Sequence, residues 1–334
     1  MDLSAITIQP TDPELHYAHI ARLISSQETE PTTAASLVEW YTKRQERGIR
    51  MNVALSAKAE VVGFNCLYRD NLNLEDFFGL YLIVEAGFRK QGLGSMLYKD
   101  LLAQAEAMGA RTLRCRVREP CEEGIRFATN RGFMQKKHSV EMRLDLRTWE
   151  DQHYDELLEA LKTQGFLFTN MAELGDTQEA RWKLYALNNG AAATDPGSNG
   201  IPPWSTFEEF ELDVCKSQWY RPAGQIVAID THTGDWAAMS AITIFEGADH
   251  AYNLFTGTGM RYRGRKLAQA VKIQALRVAR TFGVEAVCTS HNSENTAMIA
   301  IDMKLGYQRT PGTLLMVKEL ASYTDQVARP VSAR

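Results

Sequence analysis

The stretch Phe77-Phe78-Gly79-Leu80-Tyr81-Leu82-Ile83-Val84-Glu85-Ala86-Gly87-Phe88-Arg89-Lys90-Gln91-Gly92-Leu93-Gly94 decides how this chain folds. Phe77 to Val84 is an apolar run rich in aromatic and branched residues, which reads as a strand. Arg89 to Gly94 then opens a helix that runs to Met108 and stops at Gly109. A strand, a basic glycine loop and a helix in that order make a site for an anionic diphosphate, because the first-turn N–H groups have no partner within the helix. Glycine is needed where phosphate oxygens approach the main chain, since a Cβ would fill that space, and Gly92 and Gly94 meet the need. The helix dipole adds roughly half a positive charge there, and Arg89 and Lys90 add full ones.

Around this stretch the periodicity alternates between strands and helices. Upstream lie a strand at Ile6-Thr7-Ile8, a helix from about Glu14 to Ser25, a polar loop from Ser26 to Pro31 and a helix capped by Thr33. Met51 to Ser56 and Val61 to Tyr68 read as a hairpin. Downstream come a strand at Thr112 to Val117, a helix at Glu122 to Asn130 and a closing strand at Val140 to Leu146. The order then starts again. Phe166-Leu167-Phe168 is a strand, Thr177 to Asn188 a helix, Ala191 to Trp204 a long loop, and Ser205 caps a helix through Cys215. Strands at Gln225 to Asp230, Ala238 to Phe245 and His250 to Thr256 lead to a helix over Arg263 to Thr281. Laying Arg89 on Arg263, an ungapped offset of 174 residues, also lays Gly109 on Gly283 and Gly132-Phe133 on Gly306-Tyr307. A period that long indicates duplication of a whole domain. The expected division is a first domain over 1–148, a connecting helix over 149–164 around Tyr154 to Leu161, and a second domain over 165–334.

A chain of 334 residues is oversized for one domain and suits two. Hydrophobic residues at 45% and charged residues at 23% exclude a disordered or fibrous chain. A net charge of −4 gives no positive excess to draw it onto nucleic acid. Five cysteines, an odd number without a C-x-x-C, indicate buried thiols in a reducing compartment rather than a disulfide framework or zinc site. Met1 to Ala5 has no signal-peptide character, and no run approaches the roughly 18 apolar residues of a membrane span. A cytoplasmic protein, monomer or homodimer, with no membrane, nucleic-acid or metal partner is expected.

Other phosphate-loop readings drop out. Leu97 stands where a dinucleotide-binding G-x-G-x-x-G would need its third glycine, Tyr262 does the same after Gly257-x-Gly259, and no G-x-x-x-x-G-K-[ST] occurs. The residues instead resemble the GNAT superfamily of N-acetyltransferases, whose signature is [Gln/Arg]-x-x-Gly-x-[Gly/Ala] after the fourth strand with a later Gly-Phe or Gly-Tyr. Arg89-Lys90-Gln91-Gly92-Leu93-Gly94 with Gly132-Phe133 matches in the first half. Arg263-Gly264-Arg265-Lys266-Leu267-Ala268 with Gly306-Tyr307 matches in the second, except that Lys266 replaces the first glycine. The second half, with Asn292-x-x-Asn295-x-x-Met298, is similar in layout to two-domain acetyltransferases of the mycothiol-synthase type. The resemblance implies an α/β (α+β) fold of two tandem domains, each a mixed, mostly antiparallel sheet splayed between its fourth and fifth strands and flanked by helices.

It also implies acetyl-coenzyme A as cofactor, its pantetheine added like a strand to the backbone of Leu82-Ile83-Val84 in the first half and Phe255-Thr256-Gly257-Thr258 in the second. The diphosphate would lie on Arg89 to Gly94 and Ser95, and on Arg263 to Ala268, with Lys266 either obstructing its loop or adding a third cation beside Arg263 and Arg265. Asn292 and Asn295 either cap a helix or hold the pantetheine or substrate. The tyrosine that many family members use as acid, four residues before the Gly-Phe, is Ala128 in one half and Asp302 in the other. His291, Glu119 and Glu246 fall near the clefts, but none is singled out as base. The acidic run Glu208 to Asp213 reads as the solvated face of a helix, and the loop Ala191 to Trp204 as a contributor to substrate choice. The implied reaction is direct acetyl transfer, in a ternary complex, to the primary amine of a small molecule. The alternative is a non-catalytic acyl-coenzyme A binder or sensor.

Overall fold

The computed structural model describes residues 3–28, 30–46, 48–69, 76–196, 198 and 200–320. The first two residues of the Met1 to Ala5 segment, residues 197 and 199 of the Ala191 to Trp204 loop, and the end of the second expected domain beyond 320 lie outside the described residues. Along the chain run β1 (Thr7–Pro10), α1 (Pro13–Ser25), α2 (Ala34–Gln45), β2 (Ile49–Leu55), β3 (Val61–Arg69), β4 (Phe77–Val84), α3 (Leu93–Ala107), β5 (Thr112–Arg118), α4 (Glu122–Thr129) and β6 (Met134–Asp145). There follow α5 (Asp155–Thr163), β7 (Phe166–Asn170), α6 (Gln178–Ala192), α7 (Phe207–Phe210), β8 (Gln225–Asp230), β9 (Trp236–Thr243), β10 (Ala251–Thr258), α8 (Leu267–Thr281), β11 (Ala286–Asn292), α9 (Thr296–Leu305) and β12 (Gln308–Glu319).

The chain forms two compact units, one up to His138 and again from Thr313, the other Ser139–Gly312. In the first, β1 to β4 pair antiparallel in sequence order and β4 then pairs parallel to β5. Thr313–Glu319 of β12 closes this sheet against β5. In the second, β7 to β10 repeat the antiparallel order, β10 pairs parallel to β11, and Ser139–Asp145 of β6 closes the sheet against β11. The compact units therefore do not divide at the expected boundary after residue 148. The residues after each G-[FY] begin a strand whose later part hydrogen-bonds into the sheet of the other unit, and main-chain pairing leaves no mark in the side-chain pattern. The expected connecting helix also belongs to the second unit, because α5 buries Leu158 and Leu161 in the same core as Phe166 and Ile273.

Local chemistry explains most elements. Asp12 caps α1 by accepting from the Glu14 and Leu15 amides, and Thr33 and Ser36 cap α2 reciprocally. The helix expected from Ser205 is capped by Thr206 instead, and its last turn, Glu211–Cys215, widens to a π-helix. The helix expected from Arg263 begins at Leu267. In the first unit α3 is seated by Asn65, buried in β3, whose amide donates to the Leu97 carbonyl at 2.8 Å and to Asp100 at 2.8 Å. That buried polar anchor fixes where the N-terminus of α3 points. Among the described residues no helix is long and apolar enough to cross a membrane.

Candidate functional site

Both units open a cleft between their parallel strands. In the first, β4 and β5 are in register only from Phe77↔Thr112 to Gly79↔Arg114, so β4 continues to Val84 with its β5 side unpaired. In the second, β10 and β11 are in register only at Ala251↔Val287 and Tyr252↔Cys288, and a bulge between Asn253 and Phe255 bends β10 away. Leu82-Ile83-Val84 and Phe255 to Thr258 thus lie on the free edges, where N–H and C=O groups can take an added extended chain.

The turn after each edge strand is built alike. Arg89 Nε donates to the Val84 carbonyl at 3.0 Å, and Arg263 Nε to the Thr258 carbonyl at 3.4 Å. Lys90 and Gly92 are left-handed, with φ of +60° and +93°, and at the same offset Gly264 and Lys266 are left-handed at +77° and +64°. The glycine and the lysine have exchanged places on one backbone path. Gly92 is the N-cap of α3 and Lys266 that of α8, so in each unit the first helical amides are free of intrahelical acceptors. A Cβ on Gly94 would lie 3.1 Å from the Phe127 ring, so the cradle at the start of α3 has room for a backbone–ligand approach and little else.

In the first unit these parts enclose a cavity of about 770 Å³, a size that suits a large cofactor. Leu82, Ile83, Val84, Arg89, Lys90, Gly92, Gly94 and Ser95 line it. Gln91 instead donates to the Gly87 carbonyl at 2.9 Å, and Leu93 is fully buried in the core beside Ile6 and Val62. The cavity walls carry six cations, Arg89, Lys90, Arg116, Arg118, Arg126 and Arg131, against Glu28, Glu122 and Glu123, a balance suited to a polyanion. Lys90 meets Glu123 at 2.5 Å, and Arg131 stacks on Phe127 at 3.4 Å while donating to Ser95 at 2.8 Å. The floor of this cavity joins Ala128, which the sequence marked only as the place of an absent acid, and Phe133 of the Gly-Phe pair with Tyr98, Val117 and Cys115, which sequence reasoning missed; burial pushes the Cys115 thiol up to about 12. Glu119, near the cleft in the sequence reading, meets His138 at 3.0 Å.

The second unit treats the equivalent space differently. The end of α6 and the loop after it reach the residues that the sequence marked as cofactor ligands. Arg263 donates to the Thr194 hydroxyl, Asn292 to the Pro196 carbonyl at 3.0 Å, and Asn295 to Asp195 at 2.6 Å. Asn295 also caps α9 through the Met298 amide at 3.2 Å, and Asn292 accepts from the Glu294 amide at 3.1 Å. Thr256 bonds Ser240 at 2.9 Å, a Cβ on Gly257 would lie 2.6 Å from that of Ala191, and Arg265 covers the Phe166 ring at 4.5 Å. Lys266 and Ala268 are at the helix opening, and Leu267 is buried in the core.

Beneath them lies an ionic cluster. Lys272 and Asp302, 1% and 0% exposed, are ion-paired, and the other Asp302 oxygen meets His291 Nε2 at 2.5 Å. Burial would raise the Asp302 carboxyl, but Lys272 and His291 outweigh it and hold the group below its usual range. Burial pulls the Lys272 ammonium down, with Asp302 opposing. Tyr307 stands beside Lys272, its hydroxyl buried and without a hydrogen bond among the described residues. The sequence carried one sign of the cluster, Lys272 between Val271 and Ile273 on the buried face of α8.

Residues 16–133 match the acetyltransferase (GNAT) family. That stretch is a GNAT-type domain. No curated protein matches the chain by sequence. Among solved structures it is similar to a tandem GNAT protein from the clavulanic acid biosynthesis pathway, with a TM-score of 0.71 at 16% identity over 94% of this chain and 98% of that one. It is also similar to an N-acetyltransferase from Sphaerobacter thermophilus, with a TM-score of 0.69 at 16% identity over 94% and 96%. Both likenesses span the two units, so the fold is that of tandem GNAT domains, as the sequence implied. Acyl transfer from acetyl-coenzyme A is the chemistry of the GNAT family, and acyl-coenzyme A use is its trait.

Proposed function

We propose that the chain transfers the acetyl group of acetyl-coenzyme A to the primary amine of a small molecule, directly and within one ternary complex. The observation that carries this reading is the cavity of the first unit, which joins an unpaired strand edge, a left-handed turn and a helix opening on one surface. Leu82 to Val84 offer main-chain donors and acceptors to an amide-bearing arm. The opening of α3, with Arg89 beside it, offers amides and charge to a diphosphate, and Gly94 keeps the approach clear. Bound there, acetyl-coenzyme A supplies an acyl group activated as a thioester. The chain's own task is to hold it, exclude water with Phe127, Phe133 and Tyr98, and leave the far end of the cleft to the acceptor.

The test is calorimetric titration of the full chain with coenzyme A, followed by thiol release when acetyl-coenzyme A is mixed with amino sugars, amino acids and polyamines. Saturable binding with amine-dependent release is expected. Tight binding without release for every amine would make the chain a binder instead of a transferase.

A further inference from the structure

At the constant offset of 174 residues, Tyr98, Val117, Ala128 and Phe133 fall on Lys272, His291, Asp302 and Tyr307. The first four form the cavity floor of the first unit. The second four are the ionic cluster and the tyrosine beside it, which places a charged constellation at the equivalent station beneath the β10/β11 divergence. We propose that the second unit carries a transfer site of its own, in which His291 moves the proton of the acyl transfer through Nδ1 while Asp302 and Lys272 act as positioning residues. The inference rests on the reading that the chain uses acetyl-coenzyme A.

Three observations carry it. Asp302 is an acceptor for the ring, so Nε2 is the donor and Nδ1 of the neutral ring keeps its lone pair, with no hydrogen-bond partner among the described residues. Lys272 fixes the other carboxylate oxygen and balances its charge, which holds the ring in one tautomer and one orientation. Finally, stability does not call for the cluster. A buried ion pair is weak evidence of stabilisation, and the first unit builds the same station from tyrosine, valine, alanine and phenylalanine. For a neutral amine the N–C bond forms as the C–S bond breaks. The amine proton passes to His291 Nδ1 and from there to the departing sulfur, so the products are an amide and a thiol and the ring ends as it began.

The experiment uses the full chain carrying Gly94→Val, which disables the first cradle. This chain is expected to retain thiol release with the best amine of the panel. Adding His291→Gln is expected to lower kcat by about 100-fold, to leave the coenzyme A Kd within about twofold, and to be partly rescued by free imidazole. Coenzyme A is also expected to shift the His291 ring signals of the 15N-histidine-labelled chain. Asp302→Asn combined with Lys272→Met, which removes both charges together, should fold by circular dichroism and still turn over slowly. If wild type is active and Gly94→Val is silent, or if His291→Gln matches its parent, the second site falls while the proposed function stands. Joint loss of binding and turnover in His291→Gln, unmoved ring signals at saturation, or full-rate turnover by the charge-free pair would likewise overturn it. A wild-type chain silent with every amine overturns the proposed function and this inference with it.

Discussion

The two loops that open α3 and α8 and the two cleft floors diverge in opposite ways. The loops keep one backbone path, left-handed at the second and fourth positions, although glycine and lysine have traded places between Lys90 and Gly92 and between Gly264 and Lys266. The floors keep one position in the fold while their chemistry changes from Tyr98, Val117, Ala128 and Phe133 to Lys272, His291, Asp302 and Tyr307. The loop path is thus kept while the positions beneath the strand divergence change, and in the proposed reading the kept part is the one that takes the cofactor's diphosphate. The surrounding charges differ as well. Around the first cleft six cations face three carboxylates, whereas in the second the chain's own Thr194, Asp195 and Pro196 engage Arg263, Asn295 and Asn292.

The sharpest way to break this comparison is to make the second floor resemble the first. Asp302→Ala copies Ala128 but strands the Lys272 ammonium in the core, and losing one partner of a buried pair costs about 3–5 kcal/mol. Lys272→Met with Asp302→Leu removes both charges and should recover most of that loss. Urea unfolding followed by hydrogen exchange of the α8 amides distinguishes them; equal midpoints for Asp302→Ala and wild type would show that the pair contributes nothing. Acid adds a sign. The Asp302 carboxyl is depressed, so its contribution is present above the unfolded carboxylate pKa, about 3.9, and is lost as pH falls through the lower folded value. Below that range wild type should fall towards Asp302→Ala and away from the charge-free pair, because both then leave the Lys272 ammonium unpaired in the core.

A smaller effect tests the cradle. Gly94→Val places atoms where Phe127 already stands 3.1 Å from a bare Cβ and closes the diphosphate approach. Coenzyme A affinity of the first unit should fall at least about tenfold, about 1.4 kcal/mol, while the second unit's heat of binding is untouched. An unchanged titration would remove the first cradle from the site.

How much of this was open to reading depends on whether the signal is local. Phe77–Val84, the Thr33 cap and the offset between halves rest on side-chain periodicity and short-range caps, and all appear in the structure. The exchange of Ser139–Asp145 and Thr313–Glu319 between sheets does not, because strand pairing is a main-chain property and either sheet accepts the same alternation. The Lys272–Asp302–His291 cluster joins residues of α8, β11 and α9, so only the packing of three elements brings it together. Asp302 drew notice as a missing tyrosine rather than as a partner. Ala191–Trp204 reads as a long loop, and α6 takes its first two residues, but its hold on Arg263, Asn292 and Asn295 lies in contacts about 70 to 100 residues apart.

The smallest expected effect returns to the exchanged loop residues. A non-glycine residue at φ of +64° carries a left-handed penalty of about 1 kcal/mol, partly offset in the balance because glycine frees the unfolded chain. Lys266→Gly should therefore stabilise the second unit by up to about 1 kcal/mol, and Gly92→Lys should destabilise the first by a similar amount, since Gly92 sits at +93° with Leu3 2.8 Å from its would-be Cβ. Thermal unfolding of both single variants measures the pair. A Lys266→Gly chain less stable than wild type would mean that the ammonium itself stabilises the second loop by more than the backbone strain costs. The exchange would then be a gain of charge at that helix opening, and the two loops would no longer count as one device written twice.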